Sequence, residues 1–270
     1  MDDKSLEILK DAATAVAKEM YNDAGRPILN PTGETLGLIP RTVRAALLPL
    51  EKWVVGREYN LAVTKKLLEL KLQNVAPEQI VTPEAYIGVP ALQYISYCMD
   101  SEELRDMYAN LLAKSMNEVT RNGVHPSFVE IIKQLCPDEA KILRIVSGII
   151  PVITLRKENA KYEGIDVLRN FSDISEKAKC EHPDNIPQYL DNLERLGIIN
   201  NALTLSSLVD KSIYDPLKNH PSIKELEAFY STELGEEQSI RIQEGYFYLS
   251  NFGRSFKKVC ITPIDTTTTI

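Results

Sequence analysis

The chain has 270 residues, 44% of them hydrophobic and 26% charged, which is enough apolar material for two modest domains or one elaborate one and too ordinary a mixture for a disordered chain. Its net charge of −7 is spread over both halves, so bulk charge draws in no polyanion. Cys98, Cys136, Cys180 and Cys260 lie far apart with no Cys-x-x-Cys pair, which argues against zinc and against a disulfide scaffold; with an acidic N-terminus unlike a signal peptide and no window of the ~20 apolar residues that a membrane span needs, a reduced cytoplasmic protein is expected.

Residues 5–21 can form a helix with Leu6, Leu9, Ala13, Val16, Ala17 and Met20 on one side, closed by Gly25 and Pro27. Residues 36–55 are helical in character, with Pro40 fit for a first turn and Pro49 able to kink or divide the segment. Its Arg41 and Arg44 would suit lipid headgroups, but membrane-surface helices carry a strongly basic polar face, so a core helix with solvated or paired arginines is the better reading. A third helix, Asn60 to Asn74, would turn Val63, Leu67, Leu68 and Leu70 inward.

The strongest helical signal follows. From Leu104, the residues Met107, Tyr108, Leu111, Leu112 and Met116 recur at three-and-four spacing, and Glu103, Asp106, Asn110, Lys114 and Asn117 occupy the other side. Asp100 with Glu103 fits a capping box, which would start the helix near Ser101. After Gly123-Val-His-Pro, the segment Ser127 to Leu135 has so little polar face that it should be buried on most sides. Cys136-Pro-Asp-Glu opens the next helix, with proline in its first turn and two carboxylates at the positive end of its dipole.

Beyond Pro137 helices and strands mix. Pro151 to Leu155 reads as a strand, Asp173 to Cys180 as a helix, and Asn185 to Leu196 as a clear helix that ends at Gly197. Ser222 to Tyr230 is a helical insert, Ser239 to Leu249 alternates as a strand, and Ser250 caps a last helix with Phe252, Phe256, Val259 and Cys260 inward. The expected architecture is therefore mainly α: a helical domain over 1–136, a winged-helix-like α+β domain with few short strands over 137–262, and a flexible tail over 263–270.

No Gly-rich phosphate loop or nucleophile elbow is present. His125, His182 and His220 each precede a proline and read as loop or cap residues, and Cys180-Glu-His182 supplies too few ligands for a closed metal site. No catalytic residue, metal or cofactor is assigned. In the winged-helix reading, the recognition helix Asp184 to Gly197 sets Asp184, Asp191 and Glu194 against the single Arg195. Phosphate contacts come from Lys and Arg, so an acidic reading helix weighs against DNA and favours packing or protein contact.

Four blocks in order, Leu38 to Leu47, Val81 to Tyr97, Glu103 to Asn117 and Val124 to Leu135, resemble the abortive-infection alpha family of bacterial proteins, over a stretch from about residue 20 to residue 262. The resemblance implies a part in defence against bacteriophage and carries over no catalytic residue. Arg41, Arg44, Glu84, Tyr86 and His125 are the polar or amphipathic residues within these otherwise apolar blocks and are the candidates for a partner-binding surface; internal ion pairs and caps are the competing reading. The leading expectation is a non-enzymatic phage-defence protein that binds a protein partner or itself. A winged-helix DNA-binding regulator is the alternative, and an enzyme whose site is invisible in one sequence comes third.

Overall fold

A computed structural model describes residues 58–98, 101–202, 208–232 and 238–264. The helices expected over 5–21 and 36–55 lie outside the described residues. Two compact units divide the chain: one takes 58–130 together with 262–264, the other Ile131–Ile261.

The first unit is built of α1 (Glu58–Leu72), α2 (Ala85–Ile95), α3 (Glu102–Ser115) and the start of α4 (Ser127–Lys133). α3 packs against both α1 and α2. Leu68 and Leu72 of α1, Ala91, Leu92 and Ile95 of α2, and Met107, Tyr108, Leu111 and Leu112 of α3 are buried together, and the hydroxyl of Tyr108 donates to the carbonyl of Val129 at 3.1 Å. Leu70 departs from expectation: Thr64, Leu68 and Leu72 form the inner stripe of α1, and Leu70, half a turn away, is 56% exposed.

The polar side of α3 is not a solvated face. Asn110, Lys114 and Asn117 are all buried, and each is bonded. Asn110 donates to Asp106, which pairs with Lys71 at 2.5 Å. Lys114 Nζ reaches the carbonyl of Thr262 at 2.6 Å, which puts the residue that follows the second unit back into the first. The helix begins one residue later than its capping box suggested: Ser101 is the N-cap and its Oγ accepts from Leu104 N–H, while Asp100 lies outside the described residues. Either residue can cap, and a start at Glu102 hands the role to the serine.

The second unit contains α5 (Pro137–Ile145), β1 (Ile149–Asn159), β2 (Gly164–Phe171), the short α6 (Ile174–Lys177), α7 (Ile186–Arg195), β3 (Ile199–Asn201), the short α8 (Asp215–Lys218), α9 (Pro221–Thr232), β4 (Gln238–Leu249) and α10 (Asn251–Cys260). The strands form one antiparallel sheet in the order β2-β1-β4-β3. Ile153 and Leu155 are buried against Tyr214, Leu217 and Ile223, so the segment inserted between β3 and β4 covers one face of the sheet. Val152, Ile153, Thr154 and Leu155 are consecutively buried, as expected of a central strand covered on both faces rather than of a half-wet one.

β1 is longer than the five residues expected, and β2 was not expected at all. Register shifts between Ile153 and Leu155 and between Leu155 and Arg156 break the alternation along the β1–β2 pair, and Asn170 adopts φ 55°. A strand interrupted by bulges loses the period of two by which sequence reveals it. Among the described residues of the first unit the strand-like pairing is an isolated bridge, Ile80 to Asn117, and every named strand begins at or after Ile149.

Candidate functional site

Of the residues expected to form a contact surface, Arg41 and Arg44 lie outside the described residues. Glu84 immediately precedes α2 and makes no side-chain cap to that helix; its carboxylate instead meets Arg121 at 3.5 Å, with both side chains about half exposed. This pair ties the start of α2 to the 3-10 turn Arg121–Gly123, which leads directly into His125. Tyr86, in the first turn of α2, is 62% exposed. His125 Nδ1 accepts from the Ser127 N–H at 3.2 Å and faces the Ser127 hydroxyl, and its ring packs on Phe128 with centroids 5.8 Å apart. Nδ1 is thus engaged as an acceptor at the entry to α4, the work of a cap.

The second unit holds a cleft that sequence reasoning did not find. It has a volume of about 890 Å³ and lies between the end of α4, the N-terminus of α5, the loop at Glu181 and His182, and one side of α7. Asp138 is its most heavily bonded group. One carboxylate oxygen accepts from Lys141 Nζ at 2.8 Å and Glu181 N–H at 2.9 Å; the other accepts from His182 N–H at 2.9 Å and lies 3.1 Å from the Tyr189 hydroxyl. Burial alone would raise this carboxyl, but the four donors outweigh it and hold the group at about 2. The same burial, with the Asp138 charge beside it, pushes the Tyr189 phenol up to about 12.

Glu139 completes the capping box of α5 by accepting from Cys136 N–H at 2.7 Å, and its other oxygen accepts from the Asn192 amide at 2.8 Å. Burial raises its carboxyl; the Cys136 N–H, the Asn192 amide and the charge of Arg195 oppose the shift. The thiols nearby are poor nucleophiles: burial, reinforced by Asp138, pushes Cys180 up to about 11, and burial raises Cys136. A protonated thiol attacks slowly, so neither is poised for covalent chemistry at neutral pH.

On the α7 side, Arg195 is held by neutral oxygens. Nε and Nη2 donate to Asn192 Oδ1 at 3.1 and 2.7 Å, and Nη1 and Nη2 both reach Gln134 Oε1 at 3.1 Å. Asp191 accepts from the Asn170 amide and Glu194 from the Asn201 N–H, while Ile186, Tyr189, Leu190 and Leu193 are buried in the unit. Much of the polar face of α7 is therefore already bonded within its own unit. Among the described residues no group of three or more His, Cys, Asp or Glu side chains could hold a metal ion, and no helix is long and apolar enough to cross a membrane.

The sequence had marked Asp138 and Glu139 only as carboxylates suited to a helix dipole. A weak local signal was available for Glu139, because Cys136-x-x-Glu139 is the capping-box spacing with an unusual cap residue. No local signal existed for the meeting of Gln134 with Arg195, 61 residues apart.

Compared with known proteins, residues 56–260 match the family model described as abortive infection alpha. No curated protein matches the chain. A solved structure of an uncharacterized protein from the hydrocarbon-degrading marine bacterium Alcanivorax borkumensis SK2 is similar over 50% of this chain and 92% of that one, with 19% identity and a TM-score of 0.35.

Proposed function

The chain belongs to the abortive infection alpha family and is a phage-defence protein; working from that membership, we propose that it acts in the bacterial cytoplasm by binding a protein partner or a second copy of itself. The observation that carries this reading is the exposed end of α2. Tyr86 stands in solvent beside the Glu84–Arg121 pair, and a tyrosine so placed offers a large contact area with a polar tip at low entropic cost. Burial keeps the Cys136 thiol of the cleft, and Cys180 near it, protonated, which favours binding over covalent catalysis.

The second unit is read as a modified winged helix. The order β1-β4-β3, with α6 and α7 preceding β3, supports that reading, and the β1–β2 hairpin and the helices between β3 and β4 would then be additions to it. The acidic α7, its polar groups bonded within the unit, favours a packing or protein-contact role over duplex reading.

Cells carrying and lacking the gene, challenged with a panel of phages, test the proposal when Tyr86→Ala is included. Loss of protection by a variant whose melt matches wild type is the expected outcome. Full protection by that variant removes this surface from the mechanism. Strong, salt-dependent duplex binding that Arg195→Ala abolishes would replace the proposal with a DNA-binding regulator.

A further inference from the structure

The cleft contains an arginine arranged as an anion receptor. Asn192 Oδ1 grips one edge of the Arg195 guanidinium, at Nε and Nη2. Asn192 is itself fixed by its amide nitrogen, which donates to the Gln134 carbonyl at 3.1 Å and to Glu139 at 2.8 Å. The plane of the guanidinium is thereby set before any ligand arrives. Its other edge, Nη1 and Nη2, is the one a carboxylate grips with two parallel bonds; a single neutral oxygen, Gln134 Oε1, sits there at 3.1 Å from both nitrogens. Among the described residues no carboxylate forms an ion pair with Arg195.

Three carboxylates of the cleft are committed. Asp138 accepts from its four donors, Glu139 from Cys136 and Asn192, and Asp191 from Asn170. These carboxylates, with Glu181, outnumber the lining cations Lys133 and Arg195, so the surroundings repel a dense polyanion more than a single negative charge. A lone carboxylate meets that condition, and a phosphate dianion or a nucleic-acid strand meets it poorly.

We propose that Arg195 is the receptor for one carboxylate of a protein partner, an Asp or Glu side chain or a chain's C-terminus, and that the Gln134 amide holds its place until that carboxylate displaces it. A charged acceptor makes the stronger bond to a guanidinium, so exchange of the amide for a carboxylate is favourable where the guanidinium is already positioned. The site stands on the geometry of the cleft; only the choice of a protein as the source of the carboxylate rests on the partner-binding reading above.

The full-length protein is titrated with acetyl-Gly-Glu-Gly-amide, with acetyl-Gly-Gln-Gly-amide and with inorganic phosphate, following the Arg195 Nε–H resonance by NMR. The glutamate peptide is expected to shift that resonance saturably, phosphate to bind more weakly, and the glutamine peptide to leave it unmoved. Gln134→Ala removes the competing amide and tightens binding of the glutamate peptide by about three- to tenfold, the worth of one neutral hydrogen bond. Gln134→Glu installs a resident carboxylate and abolishes binding, as does Arg195→Gln. Both Gln134 variants are compared with wild type by circular dichroism, so that a folding defect is not read as lost affinity. Unchanged affinity in Gln134→Ala, or binding that survives Gln134→Glu, overturns the receptor. Phosphate binding tighter than the glutamate peptide overturns the protein carboxylate as ligand. Because the titration uses purified protein and no phage, it fails or succeeds independently of the challenge assay.

Discussion

Asp138 is buried yet fully ionised, because the donors around it return more than burial takes away. Its folded value of about 2 lies below the ordinary 3.8, so its contribution to stability is complete above about pH 4 and is lost as pH falls through about 2, an effect of about 2 kcal/mol. Glu139, raised by burial, contributes with the opposite sign: its share weakens as pH rises through its folded value. Asp138→Asn should therefore cost about 2 to 4 kcal/mol at neutral pH, and the difference from wild type should shrink between pH 4 and pH 2. Urea melts across that range measure it, and a constant difference would show that the donors do not hold the carboxylate ionised. None of this was legible in the sequence, because the Glu181, His182 and Tyr189 donors come from 43, 44 and 51 residues away. His125 and Ser250 were legible, since each acts on a backbone N–H within three residues.

Local chemistry fixes several elements and fails for others. α7 ends at Gly197 with φ 71°, a conformation that costs glycine little, and the carbonyl of Gly197 accepts from Ser250 Oγ at 2.6 Å. The same Oγ accepts from Gly253 N–H, so one hydroxyl caps α10 and binds it to the end of α7. Gly253 leaves no room: a Cβ there would lie 2.0 Å from the carbonyl oxygen of Ile198. Gly253→Ala should cost about 1 to 3 kcal/mol by forcing α10 away from that backbone, read as a lower denaturation midpoint; an unchanged midpoint would show that the contact yields freely. In α3, Leu111 and Leu112 are wholly buried, and Leu111→Ala should cost about 2 to 5 kcal/mol through lost transfer energy and a cavity. A mutant melt matching wild type would recast that face as exposed. The periodicity that foretold α3 and α7 is a property of adjacent turns. β2 escaped because its bulges and its partner strand are properties of the sheet.

At the scale of the whole molecule, the chain leaves the first unit at Glu130, completes the second, and returns at Thr262 to accept a hydrogen bond from the buried ammonium of Lys114. Sequence periodicity had no means of announcing this return, since what Thr262 contributes is a backbone carbonyl, which no side-chain pattern marks. A chain ending at Ile261 should lose about 1 to 3 kcal/mol of stability in the first unit, because the charged donor keeps its burial and loses an acceptor. Thermal melts of the truncated and full-length chains compare the two, and superimposable curves would show that Lys114 is satisfied elsewhere.

The same return sets an order of events at the ribosome. Synthesis runs from the N-terminus, so α1, α2 and α3 are exposed to the cell while the 131 residues of the second unit, Ile131–Ile261, are still being made. The acceptor that Lys114 reaches at Thr262 is translated only after the second unit. Until then the first unit lacks the carbonyl that Lys114 reaches in the folded chain, and that bond closes only once the whole of the second unit has been translated.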